Sequence, residues 1–486
     1  MLKVIMRDYI RLYINGKFYK ISGESAFLPL SEYLRNSLFF TGTKESCTEG
    51  DCGACTVLLG KIKDDKISYA PVNSCIIYLY QLDNAHIITI EGLKYKDNLN
   101  PVQEAIVNHH GTQCGFCTPG VVTTLYSLFD CGCKDDKPDR GDIQHALSGN
   151  LCRCTGYDSI IHAGLTVNPC SVRKLNELYP PDKLYEILEP QCSAIRLLLN
   201  NREFIQPANL QEALCLKSEK PDAVLISGGT DIHVLCNKRD FEPETIIHLA
   251  NIQELNNINL EDNRVLVGAA VTISKFESYI SEIFPELSKL FEVFASPQIK
   301  NIATLAGNIA NGSPVGDTIP FLMVMNAKLT LTGSDSVRTI NINNFYKGYK
   351  DFNIEPNEII TQINIPILNS TEVLKLYKVS KRKHLDISSF SAAVRIQEKD
   401  GIIESIAIAF GGVGPTVQRV HNIESFLIGK KFSQESFEGA AALIKSSIKP
   451  ICDVRGSENF RMQLAENCLK RFYFEIKDQE NSTCQL

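Results

Sequence analysis

No stretch of this 486-residue chain approaches the roughly 18 consecutive apolar residues that a membrane span needs. Positive charge is not in excess either. The 50 Lys and Arg stand against 56 Asp and Glu, and the net charge of −6 favours solubility and argues against nucleic acid as the main partner. The opening MLKVIMRDYIRLYI has charges inside its apolar run and lacks the layout of a signal peptide, so a cytoplasmic protein is expected. Neither a G-x-G-x-x-G fingerprint nor a Walker A sequence occurs, and no repeat with a period of about 20–50 residues is apparent. The remaining composition, 44% hydrophobic and 22% charged, is that of an ordinary globular protein. The length exceeds what one core usually serves, so about two to four domains are expected.

What the chain has in unusual supply is cysteine, 17 residues in all. In a chain of this length without an export signal, clustered thiols point to metal binding or redox work rather than to disulfides. Eight of them fall into two tetrads. The first is Cys47-x4-Cys52-x2-Cys55, closed by Cys75, and has the spacing of a plant-type ferredoxin site. Zinc favours C-x2-C knuckles and fits the four-residue gap poorly. Gly50, Gly53 and the small Ala54 would let backbone amides approach the sulfurs and tune their potential. The second tetrad is Cys114-x2-Cys117 with Cys152-x-Cys154. Its spacing alone leaves a four-thiolate zinc site open; beside a ferredoxin-type set it reads as a second iron–sulfur site. Helix N-termini at Pro119 and near Cys154 are expected to lower thiolate pKa there. Two such sets on one chain imply that single electrons are stepped through it. The other cysteines read as ordinary thiols, and Cys131-Gly-Cys133 lacks a second pair of its own.

Residues 10–90 read as short strands, with a hairpin around Asn15-Gly16 and a helix from Ser31, as N-cap, to Leu38. Cys47–Cys55 reads as a loop ahead of the strand ACTVLLG, the arrangement of a β-grasp fold. Pro101 and Pro119 open helices and DIQHALSGN forms another, which places the second tetrad on the turns of a helical bundle. Prolines at 169, 180, 181 and 190 mark a linker. Beyond about 200, β and α segments alternate, with later strands in SFSAAVRI and SIAIAFGGVG and helices at 433–447 and 457–473. The expected division is 1–92, 93–168, a linker over 169–199, 200–370, 371–476 and a frayed tail over 477–486.

Val224, Leu225, Ile226, Ser227, Gly228, Gly229, Thr230 and Asp231 put glycines directly after a strand, where backbone N–H groups can close on phosphate oxygens. Such strand ends are often mere turns. A second segment, Thr304, Leu305, Ala306, Gly307 and Asn308, has Ser313 and Asp317 beyond it. Two glycine segments suit a bound dinucleotide better than either alone.

At these residues the chain resembles a known family. ESCTEGDCGACTVLLG, GTQCGFCTPGVV and GNLCRCTGY are similar to the paired [2Fe–2S] domains of the molybdenum hydroxylases. GGTD, ATLAGNIANGSPVGDTIP and SKRKHLDIS resemble the flavin domain of the same group. Their order, with no molybdenum domain following, resembles the iron–sulfur/FAD small subunits of bacterial xanthine dehydrogenases. The resemblance implies an α+β multidomain fold: a β-grasp ferredoxin domain, a helical [2Fe–2S] domain, an α+β FAD-binding domain of the vanillyl-alcohol-oxidase type and an α+β C-terminal flavoprotein domain.

It also implies roles. Cys47, Cys52, Cys55 and Cys75 would hold the cluster nearer the flavin, and Cys114, Cys117, Cys152 and Cys154 the one nearer the molybdenum cofactor. Gln113 would contact the pterin across the subunit boundary. Leu225 to Asp231 would wrap the FAD pyrophosphate, Thr304 to Asn308 and Asp317 would bind the rest of the dinucleotide, and Phe294 would cover the flavin ring. Lys381, Arg382 and Asp386 would border the flavin on its nicotinamide side; by residue type they equally describe a solvated charge cluster, as Phe294 describes a core aromatic. Electrons from a molybdopterin-binding large subunit would pass through both clusters to FAD and on to NAD+, with xanthine oxidised to urate and two small and two large chains in the assembly. Within the same family stands the corresponding subunit of an aldehyde or N-heterocycle hydroxylase; outside it, a zinc-binding interaction protein. The polar stretch at 131–141 departs from the family pattern.

Overall fold

The computed structural model describes residues 6–63, 66–96, 98–131, 137–184 and 194–483. Cys133, Cys192, Cys484 and residues 185–193 of the expected linker lie outside them. The chain divides into two compact units. The first comprises residues up to Glu254 with Thr272–Ser274 and Ser296–Ala303; the second comprises Leu255–Val271, Lys275–Ala295 and Thr304 onward.

The first unit begins with a five-stranded sheet of β1 (Ile10–Ile14), β2 (Lys17–Ile21), β3 (Thr56–Lys63), β4 (Lys66–Asn73) and β5 (Ala85–Ile88), in the order β2-β1-β5-β3-β4. Asn15 (φ 50°) and Gly16 (φ 77°) are both left-handed, which turns β1 into β2 as the Asn-Gly signal predicts. β1 runs parallel to β5 in the centre, the mark of a β-grasp sheet. The helix expected over Ser31–Leu38 is present, as α-helix at Leu30–Glu32 continuing as π-helix at Tyr33–Ser37, but its N-cap is Pro29 and not Ser31. Ser31 is buried and its hydroxyl is turned to Glu45 rather than to a helix end.

The helical part contains Pro101–Asn108, Thr118–Cys131, Arg140–Ala146 and Asp158–Thr166. Asn100 caps the first helix by accepting from the N–H groups of Val102 (2.9 Å) and Gln103 (3.0 Å), and Gln103 returns a bond to the Asn100 N–H. The segment expected to link domains is packed in its described part: Leu175 and Leu184 are buried with the helices, and Lys174 donates to the carbonyls of Phe129 and Asp130.

A third layer of the same unit is a four-stranded sheet of β6 (Ile195–Leu199), β7 (Arg202–Gln206), β8 (Val224–Ile226) and β9 (Thr245–His248), ordered β6-β7-β9-β8, with β9 parallel to both neighbours. Leu197, Phe204, Ile226 and Ile246 share one core with Leu12, Ile14 and Val57. Phe204 is fully buried against Tyr80 with ring centroids 4.5 Å apart, a burial worth about 2–3 kcal/mol. Residues 200–254 therefore pack with the N-terminal sheet.

The second unit holds β10 (Ile258–Glu261), β11 (Arg264–Gly268), β12 (Lys328–Thr332) and β13 (Val337–Asn341), with the Ile359–Pro366 strand between β11 and β12. A further antiparallel sheet joins Glu372–Val379, Phe390–Lys399, Ile402–Gly411 and Gln418–Arg419. The closing helix spans Glu458–Thr483, so most of the tail expected to fray is helical. Among the described residues, no helix is long and apolar enough to cross a membrane.

Candidate iron–sulfur and flavin sites

The first tetrad sits on a loop that only left-handed backbone can close: Thr48 (φ 54°), Gly50 (φ 77°) and Gly53 (φ 67°) lie within it. Asn73, fully buried, donates to the Gly50 carbonyl at 2.8 Å. Cys75 arrives on a short turn, Ser74–Ile76, after β4. The backbone N–H of Cys52 points at the Cys47 sulfur at 3.4 Å, the amide approach that the glycines were expected to permit. Contacts with the thiols of Cys52 and Cys75 hold the Cys47 pKa well below the usual thiol range, and Cys75 does the same for Cys55. The partners move the other way: Cys52 is raised by Cys47, and Cys75 by Cys47 and Cys55.

The second tetrad is more open. Cys114 and Cys154 are exposed with their sulfurs 3.5 Å apart, while Cys152 is buried beside half-buried Cys117. Cys114 is lowered by the Phe116 backbone N–H and by Cys154, which is itself raised by Cys114. Cys152 is lowered, against its burial, by the hydroxyl and N–H of Thr155. At the start of the Thr118–Cys131 helix, burial and then Cys152 push Cys117 up to about 12.

Among the described residues no three or more His, Cys, Asp or Glu side chains gather so as to hold one metal ion. In the first tetrad Cys47 contacts both Cys52 and Cys75, and Cys75 also contacts Cys55; in the second, Cys114 meets Cys154 and Cys117 meets Cys152.

Residues that spacing could not reveal join the tetrads. The Leu151 N–H donates to the Cys52 carbonyl at 2.9 Å. Asn150 donates to the Gly53 carbonyl (3.1 Å), and Gln298, fully buried, donates to Asn150 (3.0 Å) and lies within 3.4 Å of the Thr56 and Thr124 hydroxyls. A methyl group on Gly53 would sit 2.1 Å from the Gly149 carbonyl, so only glycine allows this approach. Gln113 is exposed beside Cys114. Next to it lies an apolar groove of about 300 Å³ whose walls include Leu99, Val107, Thr112, Gly115, Pro119 and Val122.

Val224, Leu225 and Ile226 form β8, and Ser227, Gly228, Gly229, Thr230 and Asp231 turn from it into the Ile232–Arg239 helix. The turn is tightly packed, and one buried polar group in it is unpaired. A methyl group on Gly228 would meet the Ile302 carbonyl at 1.9 Å, Gly229 has φ 71°, and the buried Ser227 hydroxyl has no partner among the described residues. A glycine cradle with an unpaired hydroxyl suits a pyrophosphate.

In the second unit Thr304 accepts from the Gly307 N–H at 3.0 Å and opens the Leu305–Asn311 helix, which contains Ala306 and Asn308. The Asn308 side chain accepts from Thr318. Asp317 is buried, its two oxygens taken by Lys378 and Ser388 at 2.5 Å each. Phe294 is half-buried and packs edge-on against Phe291. Two residues before it, the Glu292 carbonyl meets His384 at 3.1 Å, so the 381–386 loop and Phe294 are near neighbours. In that loop Lys381 donates to the Val454 carbonyl at 2.9 Å, and Arg382 pairs with Asp386 at 2.6 Å. Against its partial burial, Asp386 is held below the usual carboxylate range by Arg382. Arg461, fully buried, ties Ser389 to Asp453 beneath this loop, a role with no signature in the sequence.

Three family models match in succession: a [2Fe-2S] binding domain over residues 89–165, the FAD binding domain in molybdopterin dehydrogenase over 200–368, and the CO dehydrogenase flavoprotein C-terminal domain over 375–476. Xanthine dehydrogenase of Emericella nidulans is 30% identical over 97% of this chain and 39% of its own length. Aldehyde oxidase 1 of Bos taurus is 31% identical over 96% of this chain and 39% of its own. The chain thus spans about two fifths of the length of these relatives. Among solved structures, carbon monoxide dehydrogenase from Hydrogenophaga pseudoflava matches with a TM-score of 0.53 and 27% identity, over 55% of this chain and 94% of its own. Quinoline 2-oxidoreductase from Pseudomonas putida 86 matches at 0.52 and 26%, over 56% and 94%. Three successive domain matches, with likeness to a xanthine dehydrogenase over 97% of this chain, lead to one assignment: the chain carries the iron–sulfur and flavin domains of the molybdenum hydroxylase family.

Proposed function

We propose that this chain is the electron-transfer subunit of a molybdenum hydroxylase, carrying electrons from a molybdenum centre on a partner chain to FAD and on to NAD+. Cys114, Cys117, Cys152 and Cys154 would hold the cluster nearer the partner, and Cys47, Cys52, Cys55 and Cys75 the one nearer the flavin. The glycine turn at 227–231 would take the FAD pyrophosphate, with Thr304–Asn308 and Asp317 serving the same cofactor. Phe294 would lie over the flavin, and Lys381, Arg382 and Asp386 would border its acceptor side. When bound, the clusters supply one-electron steps and the flavin supplies hydride chemistry. The protein's own part is to fix their order, spacing and potentials.

The observation that carries this reading is the joining of the two cysteine tetrads by the hydrogen bond from Leu151 to Cys52. The open face of the second tetrad, with Gln113, exposed Phe116 and the adjacent groove, supports entry of electrons from another chain. We assign a purine as substrate, xanthine going to urate, supported by likeness to xanthine dehydrogenases along nearly the whole chain. In this assignment two such chains and two molybdopterin-binding chains make the complex. A second reading, an aldehyde or N-heterocycle hydroxylase, is supported by equal identity to an aldehyde oxidase and by the quinoline oxidoreductase match. Purifying the chain with its co-expressed partner and assaying xanthine, hypoxanthine and aldehydes separates the two. Xanthine-dependent NADH formation by the complex, with none from the chain alone, is the expected result; robust xanthine oxidation by the chain alone would refute the division of labour.

A further inference from the structure

We propose that Asn237 is a positioning residue for the first tetrad, holding the backbone beside Cys47 and at Cys75 so as to set how readily a cluster there accepts an electron. This rests on the reading of Cys47, Cys52, Cys55 and Cys75 as cluster ligands.

Asn237 lies in the last turn of the Ile232–Arg239 helix, which leads directly out of the 227–231 glycine turn. Its Nδ2 donates to the carbonyls of Thr48 at 2.9 Å and Cys75 at 2.8 Å. Its Oδ1 accepts from the Tyr78 hydroxyl at 2.9 Å, which fixes the amide in this orientation. A flipped amide would set oxygen against two carbonyl oxygens, so donors and acceptor are all committed. Thr48 is held in a left-handed conformation (φ 54°) that a β-branched residue adopts at a cost, and the bond from Asn237 helps to hold it.

Asn237 does not act alone. One turn earlier His233, fully buried, sits between the Ile76 carbonyl (2.9 Å) and the Tyr80 hydroxyl (3.0 Å). From the other side, Gln81 donates to the carbonyls of Ser227 (3.4 Å) and Gly228 (3.3 Å). The helix that begins at the 227–231 glycine turn therefore ends on the ligand loop, and side chains from both sides lock the two together. A carbonyl oxygen left unpaired beside a thiolate site adds partial negative charge, which opposes the gain of an electron there; donation from Asn237 withdraws part of it. Asn237 thus favours the reduced state.

The test is an EPR-monitored redox titration of the full chain as purified, wild type against Asn237→Leu, with flavin content measured alongside. The variant should shift the midpoint of one cluster to more negative potential, by about threefold in its reduction equilibrium or roughly 28 mV for a one-electron couple. The other cluster should titrate as in wild type. If Asn237→Leu fails to load iron, Tyr78→Phe, which only frees the amide, carries the test with a smaller shift of the same sign. Unchanged midpoints for both clusters in an iron-loaded variant would overturn the proposal. A wild-type chain that lacks an iron–sulfur signal from the first tetrad would instead overturn the ligand reading beneath it.

Discussion

The Leu151 N–H donates to the Cys52 carbonyl at 2.9 Å, so a residue of the first tetrad is bonded directly to the neighbour of Cys152 in the second. Ten or so covalent bonds and one hydrogen bond then connect sulfur to sulfur, by the covalent geometry of the chain. Around that contact Gly53 and Gly120 let backbones meet where any side chain would intrude, and Gly149 leaves room for the Gln298 side chain.

Gly53→Ala should damage this contact. It forces a side chain into a left-handed position and a methyl group to 2.1 Å from the Gly149 carbonyl. Strain and overpacking together are expected to cost about 2–4 kcal/mol. Thermal unfolding reads the loss, and weakened magnetic coupling between the two clusters by EPR reads the separation.

Removal of one ligand should leave the other tetrad intact. Cys75→Ser is expected to lower iron from about four to about two per chain, by two irons per cluster, while Cys114→Ser removes the other two. Iron and sulfide analysis checks both. Zinc in place of iron, in a colourless wild-type chain, would support a structural metal site instead.

Much of this was legible in the sequence. Cysteine spacing indicates both tetrads, Asn15-Gly16 the hairpin, and Pro101 and Pro119 the helix starts, because each rests on local geometry. Ser31 misleads because its hydroxyl serves Glu45, a partner fourteen residues away. Asn150, Asn237, Gln298 and Arg461 are silent in the sequence, since their partners lie in distant segments and common polar residue types carry no spacing signal.

Gly228→Ala should impair flavin binding and stability together. The added methyl group would meet the Ile302 carbonyl at 1.9 Å in the turn assigned to the pyrophosphate. A loss of about 1–3 kcal/mol is expected from the clash, with visible flavin absorbance falling in the purified chain while iron content stays near wild type.

Acid should destabilise the first unit through His86. Burial lowers its pKa to about 3, below the ordinary 6.5. Its ring accepts the Gly16 N–H at 3.1 Å and shares a bond with the Tyr69 hydroxyl at 2.7 Å, which suits the neutral form. The folded chain therefore binds this proton less readily than the unfolded one. Stability is fully present above about pH 6.5 and declines as pH falls toward 3. At pH 5 the loss from this residue is about 2 kcal/mol. Denaturant unfolding at pH 7.5 and 5 should show it, and His86→Gln should flatten the pH dependence while lowering stability at pH 7.5.

The central claim is that both tetrads and the flavin form one electron route within this chain. Anaerobic addition of NADH to the purified chain, followed by flavin absorbance and EPR, tests it most directly. The account predicts that the flavin bleaches and that two distinct [2Fe–2S] signals appear without any partner present. A chain whose flavin is reduced while neither cluster gains an electron would contradict it.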